Sequence, residues 1–223
     1  MIPLSDESRR PVDFPVLTAA IIAINAAVFI AELMGGDPFV NRWSVIPADL
    51  VAGKHLETIL TAMFMHGGWM HIIGNMVFLW AFGPEMEDVM GPLRYAVFYL
   101  VGGIVSMSAQ VVADPAATVP CLGASGAIAA VMGAFVVTYP RDRIRVLLLL
   151  GFFYRITLMP AALLIGIWFV IQLFSVGAIA DVHSGGVAYM AHIGGIVFGA
   201  ITGRLFTDRI RVAQRRDRDF QAD

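Results

Sequence analysis

Long apolar stretches separated by short polar segments dominate the chain. A helix needs about 20 mostly apolar residues to cross about 30 Å of hydrocarbon. Six stretches that are nearly free of charge approach that length, at positions 16–33, 59–82, 95–112, 122–139, 156–176 and 187–205. The pattern predicts an all-α, polytopic membrane protein with six transmembrane helices.

The positive charges indicate how these helices are oriented, because Lys and Arg near helix ends are retained in the cytoplasm. With the N-terminus inside, thirteen of the fifteen Lys and Arg residues are cytoplasmic, and only Arg42 and Lys54 lie outside. We therefore expect both termini in the cytoplasm and an uncleaved first helix. The predicted organisation is a cytoplasmic segment (1–15), a membrane domain (16–206) and a charged cytoplasmic tail (207–223).

The connections between the stretches differ in length and character. A long first extracytoplasmic loop covers about 34–66, and the Gly-rich loop at 177–186 is a candidate cap. The stretch 146–153 is apolar but too short to span, so we expect it to lie against the cytoplasmic face.

Composition narrows the class of protein further. Hydrophobic residues make up 58% of the chain and charged residues 14%, and the mean hydropathy is +0.77. These values exclude an ordinary soluble enzyme. The net charge of −2 argues against a nucleic-acid partner. The single cysteine, Cys121, excludes an intrachain disulfide and a multi-thiolate metal site.

Four polar side chains inside the apolar stretches are the candidates for function: His71, Asn75, Ser125 and His192. Polar groups in hydrocarbon are costly unless they are paired or line a wet cavity. Each of the four, taken alone, has an equally ordinary role in helix packing. Ser125 and His192 follow the extracytoplasmic starts of their stretches closely, which places both roughly 5 to 8 Å deep.

His71 reaches the same depth only under one of two helix boundaries. A helix that starts at Ile59 would carry His71 roughly 18 Å down. A helix that starts at Gly67-Gly68 and extends past Glu85 and Glu87 would raise it to the shared level. Asn75 would then lie on the same face, one turn deeper.

Small residues surround the two candidates that lie at matching depth. Gly123 and Gly126 flank Ser125 at a helix start, where exposed N–H groups can stabilise an oxyanion. Gly195, Gly199 and Gly203 form a stripe along the last helix, which allows two helix backbones to touch.

These motifs together resemble the rhomboid intramembrane serine proteases, a family with a six-helix membrane domain. The resemblance rests on Gly123-Ala124-Ser125-Gly126, on Ala191-His192 followed by Gly195 and Gly199, and on the pattern H-x-x-x-x-H-x-x-x-N that begins at His66. It covers nearly the whole chain and implies a bacterial-type enzyme without cofactors.

The resemblance also implies a role for each residue. Ser125 would be the nucleophile and His192 the general base, while His71 and Asn75 would join the Ser125 backbone N–H in the oxyanion hole. His66 would brace the first loop. The implied substrates are single-span membrane proteins, cut after a small residue near their extracytoplasmic end, in a bacterial inner membrane.

Two features bear on how His192 and the first loop are held. No Asp or Glu lies at the depth of His192, so we expect a Ser-His dyad rather than a triad. Many family members carry an aromatic residue at the position of Ala129, and often Trp-Arg at the position of Glu57-Thr58.

Other functions remain open at this point. A small transporter, or a proteolytically silent rhomboid relative that binds membrane helices, would use the same buried polar residues. A metal site formed by His66, His71, His192 and Cys121 is disfavoured, because His66 and His71 would face different sides of a helix. His183 is interpreted as an exposed loop residue, and the sequence identifies neither a particular substrate nor an oligomeric state.

Overall fold

The computed structural model describes residues 1–9, 11–150, 153–179, 188–208 and 210–212, and it is mostly helical. The helices are α1 (Val16–Trp43), α2 (Pro47–Val51), α3 (Thr58–Thr61), a 3₁₀ turn (Ala62–Phe64), α4 (Trp69–Met90), α5 (Pro92–Ala113), α6 (Ser125–Thr138), α7 (Ala161–Ile179) and α8 (Tyr189–Phe206). Three strands accompany them: β1 (Ile2–Asp6), β2 (Arg143–Leu150) and β3 (Phe153–Pro160).

Each of the six apolar stretches overlaps one of the helices α1, α4, α5, α6, α7 and α8, although the boundaries differ from those predicted. The later start of the second helix is confirmed: α4 begins directly after Gly68, whose φ of 152° disfavours any residue with a side chain. It continues past Glu85 and Glu87. Helix α1 passes Leu33 and kinks at Gly36, so part of the predicted first loop is helical.

By length and apolar composition, two of the described helices, α1 and α5, are able to cross a membrane. Helix α6 and the segment Ala161–Phe174 of α7 are apolar but shorter. The six-span topology and the cytoplasmic termini therefore stay predictions.

Helix α6 forms the centre of the molecule, and all of its residues from Gly126 to Phe135 are buried. Its partner α8 approaches so closely that a methyl group at Gly195 would overlap the Gly126 carbonyl oxygen. A methyl group at Gly199 would likewise overlap the carbonyl oxygen of Ala130. The predicted glycine stripe is thus a contact between two helix backbones.

A three-stranded antiparallel sheet corrects the all-α prediction. The strand order is β1-β2-β3, with Ile2 opposite Leu147 and Leu147 opposite Ile156. The stretch expected to lie flat on the cytoplasmic face, 146–153, instead supplies parts of β2 and β3. The fifth helix was expected from Ile156 but begins at Ala161, because the intervening residues belong to β3.

The strand pattern has a local cause that the hydropathy average conceals. In β2, exposed Arg143 and Arg145 alternate with Ile144 and Val146, which are fully buried against the helices. Such a two-residue period is typical of a strand with one covered face. The N-terminal segment completes the sheet as β1, so residues 1–15 are not an independent unit.

Buried polar groups anchor the first strand. Arg9 pairs with Asp142, and the backbone N–H of Ser8 donates to the Asp6 carboxylate at 2.8 Å. Burial raises the pKa of Asp6 to about 7. The Asp6 carboxyl group therefore keeps its proton across most of the acidic range in the folded protein.

Replacing Gly199 by Ala tests the backbone contact between α6 and α8. The new methyl group would meet the Ala130 carbonyl, so we expect a loss of about 1–3 kcal/mol, as for other overpacked sites. Thermal unfolding in detergent measures the change.

The matched control is Gly166→Ala on α7, where nothing lies within 4 Å of the added methyl group. It should be neutral or stabilising, because Ala is the better helix former by about 1 kcal/mol. Equal melting temperatures for the two variants would contradict the contact.

Replacing Asp6 by Asn tests whether the buried carboxyl group keeps its proton in the folded protein. Because the pKa of Asp6 in the folded protein is about 7, the folded protein holds this proton up to that pH, whereas an unfolded chain releases it at a pH of about 4. The contribution of Asp6 to the free energy of unfolding should therefore fall as pH rises between these values and stay constant above them. In melting curves, Asp6→Asn should lose this pH dependence of stability, whereas the control Asp13→Asn, at an exposed position, should keep it. An unchanged slope in the Asp6 variant would refute the assignment.

Candidate active site

Ser125 and His192 meet where α6 and α8 begin. Ser125 is the first residue of α6, and His192 lies in the first turn of α8. The Ser125 Oγ and His192 Nε2 atoms are 2.7 Å apart. The glycine contacts between the two helices account for this approach, because no side chain holds the backbones apart.

A third residue, Gln172 on α7, completes the chain of hydrogen bonds. Its Oε1 lies 2.7 Å from His192 Nδ1. An amide oxygen only accepts, so Nδ1 carries the proton and Nε2 accepts from the Ser125 hydroxyl. Gln172 was not among the sequence candidates. It was detectable there, because it is an isolated polar side chain in an otherwise apolar stretch.

Aromatic rings enclose the His192 imidazole. The Trp168 ring lies 5.2 Å from it between centroids, and the Tyr189 ring meets it edge-on at 6.4 Å. Ala129, where many family members carry an aromatic residue, is fully buried in α6. Trp168 therefore provides from α7 the aromatic contact that α6 lacks.

His71 faces the same site from α4. The backbone N–H of Gly67 donates to its Nδ1 at 3.2 Å, so the proton of the neutral ring is on Nε2. A methyl group at Gly123 would lie 3.0 Å from that Nε2 and 3.5 Å from Ser125 Oγ. Gly123 has a φ of 134°, so this position requires glycine both for space and for backbone conformation.

Asn75 presents a buried amide donor at this site. Its side-chain nitrogen is buried and has no hydrogen-bond partner among the described residues. It lines a cavity of about 370 Å³ that is enclosed by α4, α6, α7 and α8. The walls of this cavity are Met70, His71, Gly74, Asn75, Phe78, Ser125, Ile128, Met132, Trp168, Ile171, Gln172, Tyr189 and His192. The four sequence candidates thus share one cavity.

His66 supports the segment that precedes α4. Its backbone N–H donates to both oxygens of the buried Glu32 carboxylate on α1, at 3.0 and 3.1 Å. Its ring lies 5.1 Å from the His71 ring in an edge-on contact, and the ring nitrogens have no partner within the described ranges. The loop is therefore held through the His66 backbone, while the side chain packs against His71.

Within the described part of the chain, no three His, Cys, Asp or Glu side chains converge as they would on a metal ion. His183 and most of the candidate cap, residues 180–186, lie outside the described residues.

The family model for the rhomboid domain matches residues 53–209, which is more than half of the chain. The chain belongs to the rhomboid family. Rhomboid proteins are integral to membranes, which agrees with the apolar composition.

Relatives occur in organelles and in bacteria. The chain is 28% identical over 213 residues to Rhomboid protein 1, mitochondrial, of Saccharomyces cerevisiae, covering 92% of the chain and 57% of that protein. It is 30% identical over 206 residues to RHOMBOID-like protein 12, mitochondrial, of Arabidopsis thaliana, covering 85% and 57%. It is 32% identical over 124 residues to Rhomboid protease GluP of Bacillus subtilis, covering 54% and 24%. The chain thus spans little more than half the length of these mitochondrial relatives.

Replacing Glu32 by Ala tests the support of the His66 segment. The buried backbone N–H would lose its acceptor, which typically costs about 1–3 kcal/mol. Thermal unfolding should show this loss, whereas Glu32→Gln, which retains an acceptor oxygen, should lose less. Glu57→Gln is the exposed control, since its ion pair with Arg42 is half solvated and contributes about 0–1 kcal/mol. Equal effects of Glu32→Ala and Glu57→Gln would exclude this role.

Proposed function

We propose that this rhomboid protein is an intramembrane serine endopeptidase that hydrolyses a peptide bond in or near the transmembrane segment of other membrane proteins. The observation that carries the proposal is the 2.7 Å contact between Ser125 Oγ and His192 Nε2. It lies in a cavity that also holds the Asn75 amide, whose nitrogen has no partner among the residues that the structure describes. The relative GluP, which is named a protease, supports the same activity.

Acylation follows from the proton positions. The Ser125 oxygen attacks the substrate carbonyl carbon while its proton passes to His192 Nε2. The carbon–nitrogen bond then breaks, and the imidazolium returns the proton to the leaving amine. A water molecule, deprotonated by the same nitrogen, hydrolyses the acyl-enzyme and restores Ser125.

The negative charge that develops on the carbonyl oxygen would be stabilised by hydrogen-bond donors of this site. The Asn75 amide and the Nε2–H of His71 reach the cavity from α4. The backbone N–H of Ser125, the first residue of α6, lies at a helix start, where N–H groups lack intrahelical acceptors, and would be the third donor. Donors placed in advance, in a site of low polarity, stabilise the transition state without reorganisation.

The position of the cavity fits a membrane-embedded substrate. A transmembrane helix hides its carbonyls within its own hydrogen bonds, so cleavage requires a segment that unravels easily. The cavity, which is lined by residues of α4, α6, α7 and α8, would accommodate such a segment. Single-span substrates, cleavage after a small residue and an extracytoplasmic opening are carried over from the family resemblance. The relatives named above come from mitochondria and from a bacterium, and the bacterial inner membrane stays a prediction.

A substrate-independent experiment tests the chemistry. Purified protein in detergent should react covalently with a fluorophosphonate probe, and it should cleave a single-span reporter in liposomes. Ser125→Ala should lose both activities, and His192→Ala should lose cleavage, at unchanged melting temperature. A folded wild-type protein that neither reacts with the probe nor cleaves the reporter would overturn the proposal and favour a silent, helix-binding relative.

Asn75→Ala measures the contribution of a single oxyanion donor. Such a donor typically contributes about 10²–10³ in kcat, so cleavage should be slowed by about that factor rather than abolished. Asn41→Ala, at an exposed Asn of α1, is the control and should leave cleavage unchanged. A wild-type kcat in the Asn75 variant would remove Asn75 from the oxyanion hole.

A further inference from the structure

We infer that Gln172 is a positioning residue that holds the His192 imidazole in the orientation and tautomer that its role as general base requires. The inference rests on the proposed function and adds a third member, carried by a different helix, to the Ser-His dyad. Gln172 acts through His192 and does not itself touch the reacting atoms.

The contact is buried and specific. Gln172 is 7% exposed and His192 is 6% exposed, so water cannot readily replace the hydrogen bond between them. The bond joins Gln172 Oε1 to His192 Nδ1 at 2.7 Å, which is short for a nitrogen–oxygen pair. It fixes the proton on Nδ1 and leaves the Nε2 lone pair directed at Ser125.

No carboxylate competes for this position among the residues that the structure describes. The titratable groups that face the imidazole there are Ser125 from α6, His71 from α4 and Tyr189 from α8. From the described side chains of α7, Gln172 and the uncharged ring of Trp168 contact the imidazole. An amide orients the ring without placing a charge in an apolar environment, where an ion would be costly.

The placement of Gln172 on α7 links the general base to the cavity wall. Helices α6 and α8 touch through their backbones, which fixes Ser125 relative to His192. Gln172 reaches the imidazole from α7, the helix that supplies one wall of the cavity. Since hydrogen bonds fail beyond about 3.5 Å, a displacement of α7 by about 1 Å would release Nδ1. The position of α7 therefore determines whether His192 is held.

Two substitutions of similar size separate positioning from packing. Gln172→Met fills the same space without an acceptor, and Gln172→Glu keeps an acceptor and adds charge. We expect Gln172→Met to lower kcat about 10- to 100-fold, as for loss of a hydrogen bond to a group that becomes charged, with KM within about twofold. Gln172→Glu should recover at least part of kcat. It should also move the acidic limb of the kcat/KM profile to higher pH by about one unit, because a negative charge favours the imidazolium.

The matched control is Gln110→Met on α5. Gln110 also accepts a hydrogen bond from the first turn of α8, at 3.2 Å from the Met190 nitrogen, but it does not contact the imidazole. This variant should keep the wild-type pH profile, and melting temperatures should be measured for all three.

The outcomes distinguish this inference from the proposed function. If wild type neither labels with fluorophosphonate nor cleaves, the proposed function fails. If wild type is active, a Gln172→Met variant with wild-type kcat and pH profile overturns the positioning role alone. If the Met variant does not fold, Gln172→Glu decides: an unshifted pH profile refutes the inference and a shifted one supports it.

Discussion

The contact between the backbones of α6 and α8 is the constraint on which the rest of the structure depends. In a membrane there is no hydrophobic gain from bringing helices together, so close van der Waals packing between small residues takes its place. At Gly195 and Gly199 the two helices approach closely enough that an added methyl group would overlap the backbone carbonyl oxygens of Gly126 and Ala130. The N-terminus of α6 and the first turn of α8 consequently meet, and Ser125 and His192 come within hydrogen-bond distance.

A second constraint, the satisfaction of polar atoms in apolar surroundings, explains the organisation of the site. His192 uses both of its ring nitrogens, and His71 uses Nδ1 to accept from the Gly67 backbone. The Asn75 nitrogen stays without a partner among the described residues. Leaving one buried donor unpaired is unfavourable for stability. It is useful only if a ligand oxygen completes the bond, which is what a developing oxyanion would do.

The sequence predicted the positions of the long helices, but it did not predict the sheet. Hydropathy reports burial in lipid or protein, and it identifies a helix from a single continuous segment. The sheet instead joins β1 with a hairpin far along the chain, so that Ile2 pairs with Leu147. The alternation of Arg143, Ile144, Arg145 and Val146 carried a strand signal, but apolar length dominated the interpretation. The start of α4 was recovered because Gly67-Gly68 marks it locally.

By itself the sequence determined the apolar segments, the small-residue stripe and the four polar candidates, because each depends on residue type and short-range spacing. Only the tertiary structure decided what those candidates touch. That Gln172 holds Nδ1, that Trp168 replaces the aromatic residue absent at Ala129, and that Glu32 binds the His66 backbone all depend on distances between separate helices. Those distances are set by packing across the whole fold, which no local pattern encodes.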